Sequence, residues 1–307
     1  MITCSWRTAF APDEEEEVGE MLAAAAEADA EAGFPAVSLS QPFPDDARHL
    51  VVRLLPDGRS GHGDSSPVAA YLRVEPDPEG GPATVRYVVR PQFRSRGIST
   101  LLVETVGLDV RADGGWAGTG APALRVWARG DHPAAQRMAR RFGCSGVRAA
   151  RRQWQLLAPL RDRGFPDAAG LAVRLPADAA ERAAAAALWR RHGGRDEPPD
   201  HLAVLVTRPD ISGGVWYDPT ADERTEYGAA GRIVAVLAAP DRDELRGALV
   251  AAAMAALRER GLRVAAIAVD AEDRTLARSC RLLGFRHDRT DIEYTVGPAP
   301  AEVTADA

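Results

Sequence analysis

The chain has 307 residues, with 38 basic side chains against 44 acidic ones and a net charge of −6; every basic residue is arginine. This length suits two domains rather than one, and the acidic balance argues against nucleic acid as the main partner. Cys4, Cys144 and Cys280 form no C-x-x-C pair, the six histidines show no metal-ligand spacing, and no apolar run approaches the roughly 20 residues of a membrane span, so no metal, a soluble chain and a reducing cytoplasm are expected.

Taken in order, residues 13–32 predict a helix. Asp13 and Glu16 are spaced as a capping box, and the acidic run Glu14 to Glu17 suits the positive helix end. Strands are expected at 48–55 and 68–74, joined by the turn-rich P-D-G-R-S-G-H-G-D-S-S-P. The next strand, Val85 to Val89, runs into Pro91 and the basic loop Arg94-Ser95-Arg96-Gly97-Ile98-Ser99. Leu101, Leu102 and Val106 then recur at helical spacing, so a helix is expected over 99–110. A strand entering a helix through such a loop points backbone N–H groups and the positive helix end at one spot, which suits a phosphate. Arg94 and Arg96 add charge, and Gly97 lets the backbone come close to a ligand. The plainer alternative is an ordinary turn with solvated arginines.

The segment R-A-D-G-G-W-A-G-T-G-A-P reads as a flexible return, followed by a strand at 124–128, a short helix at 131–142 and extended chain over 146–157. Residues 159–170 have the composition of a linker. Beyond them the order repeats: strand 231–238, helix 241–260, strand 264–269, helix 273–283 and a closing strand 291–296. R-R-F-G-C at 140–144 parallels R-L-L-G-F at 281–285. In place of the basic loop the second copy has P-D-R-D-E-L-R-G-A, and Asp243 and Glu244 there oppose anion binding. The expected domains are 1–158 and 171–298, with 159–170 between them and a disordered tail at 299–307.

The run R-P-Q-F-R-S-R-G-I-S-T resembles the acyl-CoA pyrophosphate loop of the GCN5-related N-acetyltransferases (GNAT), with Arg94, Gly97 and Ser99 on its three diagnostic positions. The resemblance implies an α/β fold of two tandem GNAT-like domains, each a mixed, mostly antiparallel sheet flanked by helices. It also implies acetyl-CoA as co-substrate, held by Tyr87, Val88 and Val89 on the strand and by Arg94, Ser95, Arg96, Gly97, Ile98, Ser99 and Thr100. The tandem organisation, the opening C-S-W-R-T-A-F, V-R-A-A-R-R-Q-W-Q-L-L-A-P-L-R-D, W-Y-D-P and D-I-E-Y resemble the mycothiol synthase family. That likeness implies acetylation of a small-molecule amine, a cysteinyl-glucosamine-inositol, with Glu197 and Tyr294 touching the acceptor.

Amine acetylation needs a base for the ammonium and an acid for the departing thiolate. Where such enzymes carry the acid tyrosine, this chain has Ala139 and Cys280, and Arg86 and Arg232 stand where a glutamate is common. The catalytic groups are therefore left unassigned. Tyr71, Tyr87, Glu75, Asp77, Glu79 and Glu104 are substitutes, each more simply read as a packed aromatic or a solvated carboxylate. Two readings stay open: an N-acetyltransferase, and an acyl-CoA-binding sensor or partner protein without turnover. Oligomeric state is not legible.

Overall fold

The computed structural model describes residues 1–34, 46–55, 66–112, 114–160, 173–191, 200–207, 210–225, 227–238 and 245–297. Its elements in chain order are β1 (Ile2–Arg7), α1 (Pro12–Glu31), β2 (Arg48–Leu54), β3 (Val68–Glu75), β4 (Ala83–Val89), α2 (Ile98–Val106), β5 (Leu124–Ala128), α3 (Pro133–Arg141) and β6 (Val147–Pro159), then β7 (Val173–Arg174), α4 (Ala179–Arg191), β8 (Leu202–Thr207), β9 (Asp210–Thr225), β10 (Gly228–Ala238), α5 (Arg246–Glu259), β11 (Val264–Asp270), α6 (Arg274–Leu282) and β12 (Arg286–Val296). No helix among the described residues is long and apolar enough to cross a membrane.

The chain divides into two compact units. The first is Met1–Arg151 together with the segment from Asp291 onward, and the second is Arg152–Thr290. Both divisions fall inside strands, one in β6 and one in β12; of the linker expected at 159–170, Pro159 is the last residue of β6 and residues 161–170, like the tail, lie outside the described residues. In the first unit, β1 to β4 pair in sequence as an antiparallel meander, β5 joins β4 in parallel, and the end of β12 closes the sheet antiparallel to β5. The second unit repeats that order. Strands β7 to β10 are antiparallel, β11 is parallel to β10, and the second half of β6 closes the sheet against β11. The first unit thus takes its closing strand from the C-terminal part of the chain, while the second closes on its own first strand.

In the first unit β3 is buried on both faces, which explains why V-A-A-Y-L-R-V lacks an apolar-polar alternation. One face packs Leu50, Leu72 and Val74 with Ile98 and Leu102 of α2. The other packs Val51, Tyr71 and Val88 under Val18, Met21 and Ala25 of α1, three residues spaced as one helical stripe. In the second unit Leu249, Val250, Ala253, Met254 and Leu257 of α5 cover Ile233, Ala265 and Ile267.

Several local expectations need correction. The capping box at Asp13 and Glu16 does not form. Ala11 is the N-cap, no side chain caps the helix, and Pro12 fills the first helical position, where its fixed φ favours an earlier start and puts Asp13 inside the first turn. The acidic run is instead tied down: Glu14 pairs with Arg7 at 3.0 Å and Glu17 with Arg53 at 2.7 Å. Helix α2 stops at Val106, four residues early, because Gly107 turns the chain at φ 78°. The described part of the return after it is packed against the core. Trp116 is buried, meets Trp6 edge-on at 5.8 Å and donates from Nε1 to the Gly107 carbonyl at 3.0 Å.

Candidate functional site

Strands β4 and β5 pair only from Ala83 with Leu124 to Val85 with Val126, while β4 stays registered with β3 as far as Val89 with Ala70. Beyond Val85 the two strands part, leaving the β5-facing backbone edge of Arg86 to Val89 outside the ladder. Tyr87, Val88 and Val89 all lie in this parted stretch. Val88 is buried toward α1, and Tyr87 packs on the α2 side.

A single 3-10 turn, Pro91–Phe93, carries the chain from β4 into the loop, anchored by the buried Phe93 ring. Two left-handed residues then shape the loop, Ser95 at φ 62° and Gly97 at φ 78°. A Cβ on Gly97 would meet nothing within 4 Å, so backbone conformation, not crowding, selects glycine there. No side chain caps α2. The N–H groups of its first turn, at Ile98, Ser99 and Thr100, therefore form the kind of helix end that accepts an anion.

The two arginines differ. Arg94 is held in place: Nε donates to the Val89 carbonyl at 3.1 Å, and Nη1 donates to Asp29 Oδ1 of α1 at 2.6 Å. Arg96 is exposed and stands over the Phe93 ring at 5.9 Å, with no ion-pair partner among the described residues. The Tyr87 hydroxyl donates to Ser99 Oγ at 3.1 Å, and burial pushes its pKa up to about 12. Thr100 Oγ1 reaches Met138 Sδ of α3 at 3.8 Å.

The remaining candidates are dispersed. Glu75 is bridged between the guanidiniums of Arg73 and Arg86, the latter at 3.0 Å. Asp77 accepts from the Glu79 amide at 3.1 Å, and Glu104 pairs with Arg141 at 2.9 Å on the surface. Tyr71 is buried, with its hydroxyl 2.6 Å from His49 Nδ1. Burial together with the nearby Arg73 lowers the His49 pKa, and burial raises that of Tyr71. Tyr294 is buried in β12 opposite Val126 of β5, in the first unit. Glu197 lies outside the described residues. Cys280 is fully buried in α6, and burial raises its thiol pKa to about 12.

Two arrangements carry no local sequence signal. Asp29, half a chain turn from the end of α1, locks Arg94 across 65 residues of sequence. Asp291, with no exposed surface, accepts from Arg129 Nη1 and from the Gly130 amide, both at 2.9 Å, and so fixes the loop after β5. That loop contains Gly130 at φ 74° and Asp131 at φ 48°, and a Cβ on Gly130 would sit 2.3 Å from the Phe34 ring.

The second unit repeats the parting of strands, with β10 and β11 paired from Ala230 with Val264 to Ile233 with Ile267. Residues 239–244, including Asp243 and Glu244, lie outside the described residues. At the start of α5, Arg246 Nη1 donates to Asp273 Oδ2 at 2.5 Å, which commits this guanidinium to the N-cap of α6.

No family model matches the chain. It is 32% identical to a mycothiol acetyltransferase of Nocardia farcinica over 97% of this chain and 99% of that protein. It is 28% identical to that of Rhodococcus opacus over 81% and 83%. Among solved structures, a GCN5-related N-acetyltransferase from Sphaerobacter thermophilus aligns over 97% of both chains at a TM-score of 0.63 and 21% identity. A tandem GNAT protein from the clavulanic acid biosynthesis pathway aligns over 98% of this chain and 100% of that one at a TM-score of 0.59 and 17% identity. These structures establish the fold, two tandem GNAT-like domains.

Proposed function

The chain belongs to the mycothiol acetyltransferase family, and we propose that its first unit is where acetyl passes from acetyl-CoA to a small amine. As a member it is an acyltransferase of GNAT type that uses acetyl-CoA. The observation that carries the assignment to the first unit is the parting of β4 from β5 beside an uncapped helix that starts on a left-handed glycine. The cofactor's diphosphate fits that cradle, since the space beside Gly97 is open and the first-turn amides converge on it. The amides of Ile98, Ser99 and Thr100 with the Arg96 guanidinium hold the diphosphate, and Arg94, braced by Asp29, sets the loop. The free edge of β4 at Tyr87, Val88 and Val89 receives the pantetheine arm.

Bound there, the thioester supplies the acetyl group. The chain's own contribution is alignment and polarisation: reactants held in line gain a large effective concentration, and backbone donors stabilise the developing oxyanion. Glu75 and Glu104 are paired with arginines and Asp77 accepts a loop amide; in our reading none of these three is the base, and the amine arrives already deprotonated. The rate then rises with pH in step with the free-amine fraction, and a plateau below the amine's own pKa would show a resident base. Tyr294 and Glu197 remain our acceptor contacts. A cytoplasmic location fits the three unpaired cysteines.

The test is coenzyme A release, followed by chromatography, with cysteinyl-glucosamine-inositol and a panel of simple amines. Turnover that is lost in Gly97→Glu supports the reading. Binding of acetyl-CoA without turnover on any acceptor would reduce the protein to a sensor, and no binding at all would remove the site.

A further inference from the structure

A cleft of 480 Å³ opens in the second unit between α6, the second half of β6 and the start of β12. Its floor is apolar: Leu156 and Phe285 are buried in the core beneath α6, and the half-buried Trp154 ring stands beside them. The rim is cationic. Arg281 projects from the last turn of α6 and Arg286 from the first residue of β12, both exposed. Among the described residues neither guanidinium has a hydrogen-bond or ion-pair partner, in a chain whose net charge is −6. His287 meets Trp154 edge-on at 6.5 Å, and its ring is held by Thr290 Oγ1 at 2.9 Å. The cleft's lining comes from β6, α6 and the start of β12 and includes no residue of β10, β11 or α5, so it is not the second copy of the acyl-cofactor cradle.

We propose that this cleft binds an aromatic acid, a flat ring bearing a carboxylate or a phosphate, with the ring against Trp154 and Phe285 and the acid between Arg281 and Arg286. A planar guanidinium matches either anion with paired N–H donors. A ring covers an apolar floor that a bare anion would leave wet, and it stacks on Trp154 with offset or edge geometry. A neutral ring would leave both cations without a counter-charge. The volume is that of a small-molecule site. The proposal does not depend on acetyl transfer.

Calorimetry on the full chain, in excess coenzyme A so that the cradle at α2 is silent, decides it with four probes: 1-naphthoate, 1-naphthyl phosphate, 1-naphthamide and inorganic phosphate. Saturable binding of one equivalent of naphthoate or naphthyl phosphate is expected, with the stronger arm identifying the anion. Naphthamide, which lacks the charge-assisted contact, and phosphate, which lacks the ring, are each expected to bind at least about tenfold more weakly. Arg281→Ala with Arg286→Ala weakens the aromatic acid by a similar factor and leaves coenzyme A affinity unchanged. Naphthamide binding as well as naphthoate, an undiminished affinity in the double variant, or no saturation for either acid would overturn the proposal; the wild-type arms need no variant to fold.

Discussion

Replacing Gly97 by glutamate places a charge and a backbone penalty in the same spot, and two variants separate them. Gly97 has φ 78° and ψ 7°, and a Cβ added there meets nothing within 4 Å. Gly97→Ala therefore costs only the left-handed conformation, roughly 1–2 kcal/mol. For a unit of this size that lowers Tm by about 2–8 °C. Coenzyme A affinity also falls in this variant, but by less than in Gly97→Glu, because the methyl enters the open space that the diphosphate occupies without adding charge. Gly97→Glu adds a carboxylate beside the diphosphate. Two unit charges about 4 Å apart repel by roughly 1–4 kcal/mol between a water-like and a surface-like dielectric. The expected loss of affinity is thus on the order of 5-fold to 1,000-fold. Isothermal titration of coenzyme A into both variants reads this directly. Added salt narrows the gap between them, because exposed charges are screened within about 10 Å at 0.1 M. Affinity within twofold of the unmodified chain in Gly97→Glu would refute the placement of the diphosphate at α2.

Three further outcomes are expected. Asp29→Asn removes the brace on the Arg94 guanidinium, now paired at 2.6 Å, and lowers coenzyme A affinity a few-fold in the same calorimeter, with only about 0.5 kcal/mol lost from stability because the pair is part-exposed; an unchanged or raised affinity would show that the pair does not position the loop. Cys144 is exposed whereas burial raises the Cys280 thiol to about 12, so iodoacetamide at pH 8 labels Cys144 and spares Cys280 as read by mass spectrometry, since the thiolate is the reactive form. Ending the chain after Thr290 removes Ile292, Tyr294 and Val296, each under 8% exposed, together with the Asp291 carboxylate. At about 2 kcal/mol per buried side chain the loss is on the order of 6 kcal/mol, comparable to the whole stability of a domain, and limited proteolysis should then digest the first unit while sparing the second.

The loop at α2 was legible because its information is local. An alternating strand, a proline, a glycine needing positive φ and an apolar stripe at helical spacing all fall between Ala83 and Val106. The repeated order of the second half was legible for the same reason. What stayed hidden joins distant residues. Nothing in D-I-E-Y shows that Tyr294 pairs with Val126, or that Asp291 caps a loop at Gly130, since strand periodicity names a face and not a partner. The strands β1 and β7 to β9 also went unassigned; β7 is only two residues long and leaves little pattern to read. The return around Trp116 looked flexible because its four glycines resemble a linker. One of them, Gly115, is required by packing, as a Cβ there would stand 2.5 Å from the Ala121 amide nitrogen.

The borrowed closing strand also sets a timetable for biosynthesis. When Arg151 leaves the ribosome, β5 has β4 beside it but still lacks its second neighbour, and the 139 residues from Arg152 to Thr290 must be translated before that neighbour exists. At about 5–20 residues per second the wait is roughly 7–28 s. During it the nascent chain exposes an open sheet edge at Leu124 to Ala128, a template for mispairing that chaperones would be called on to shield.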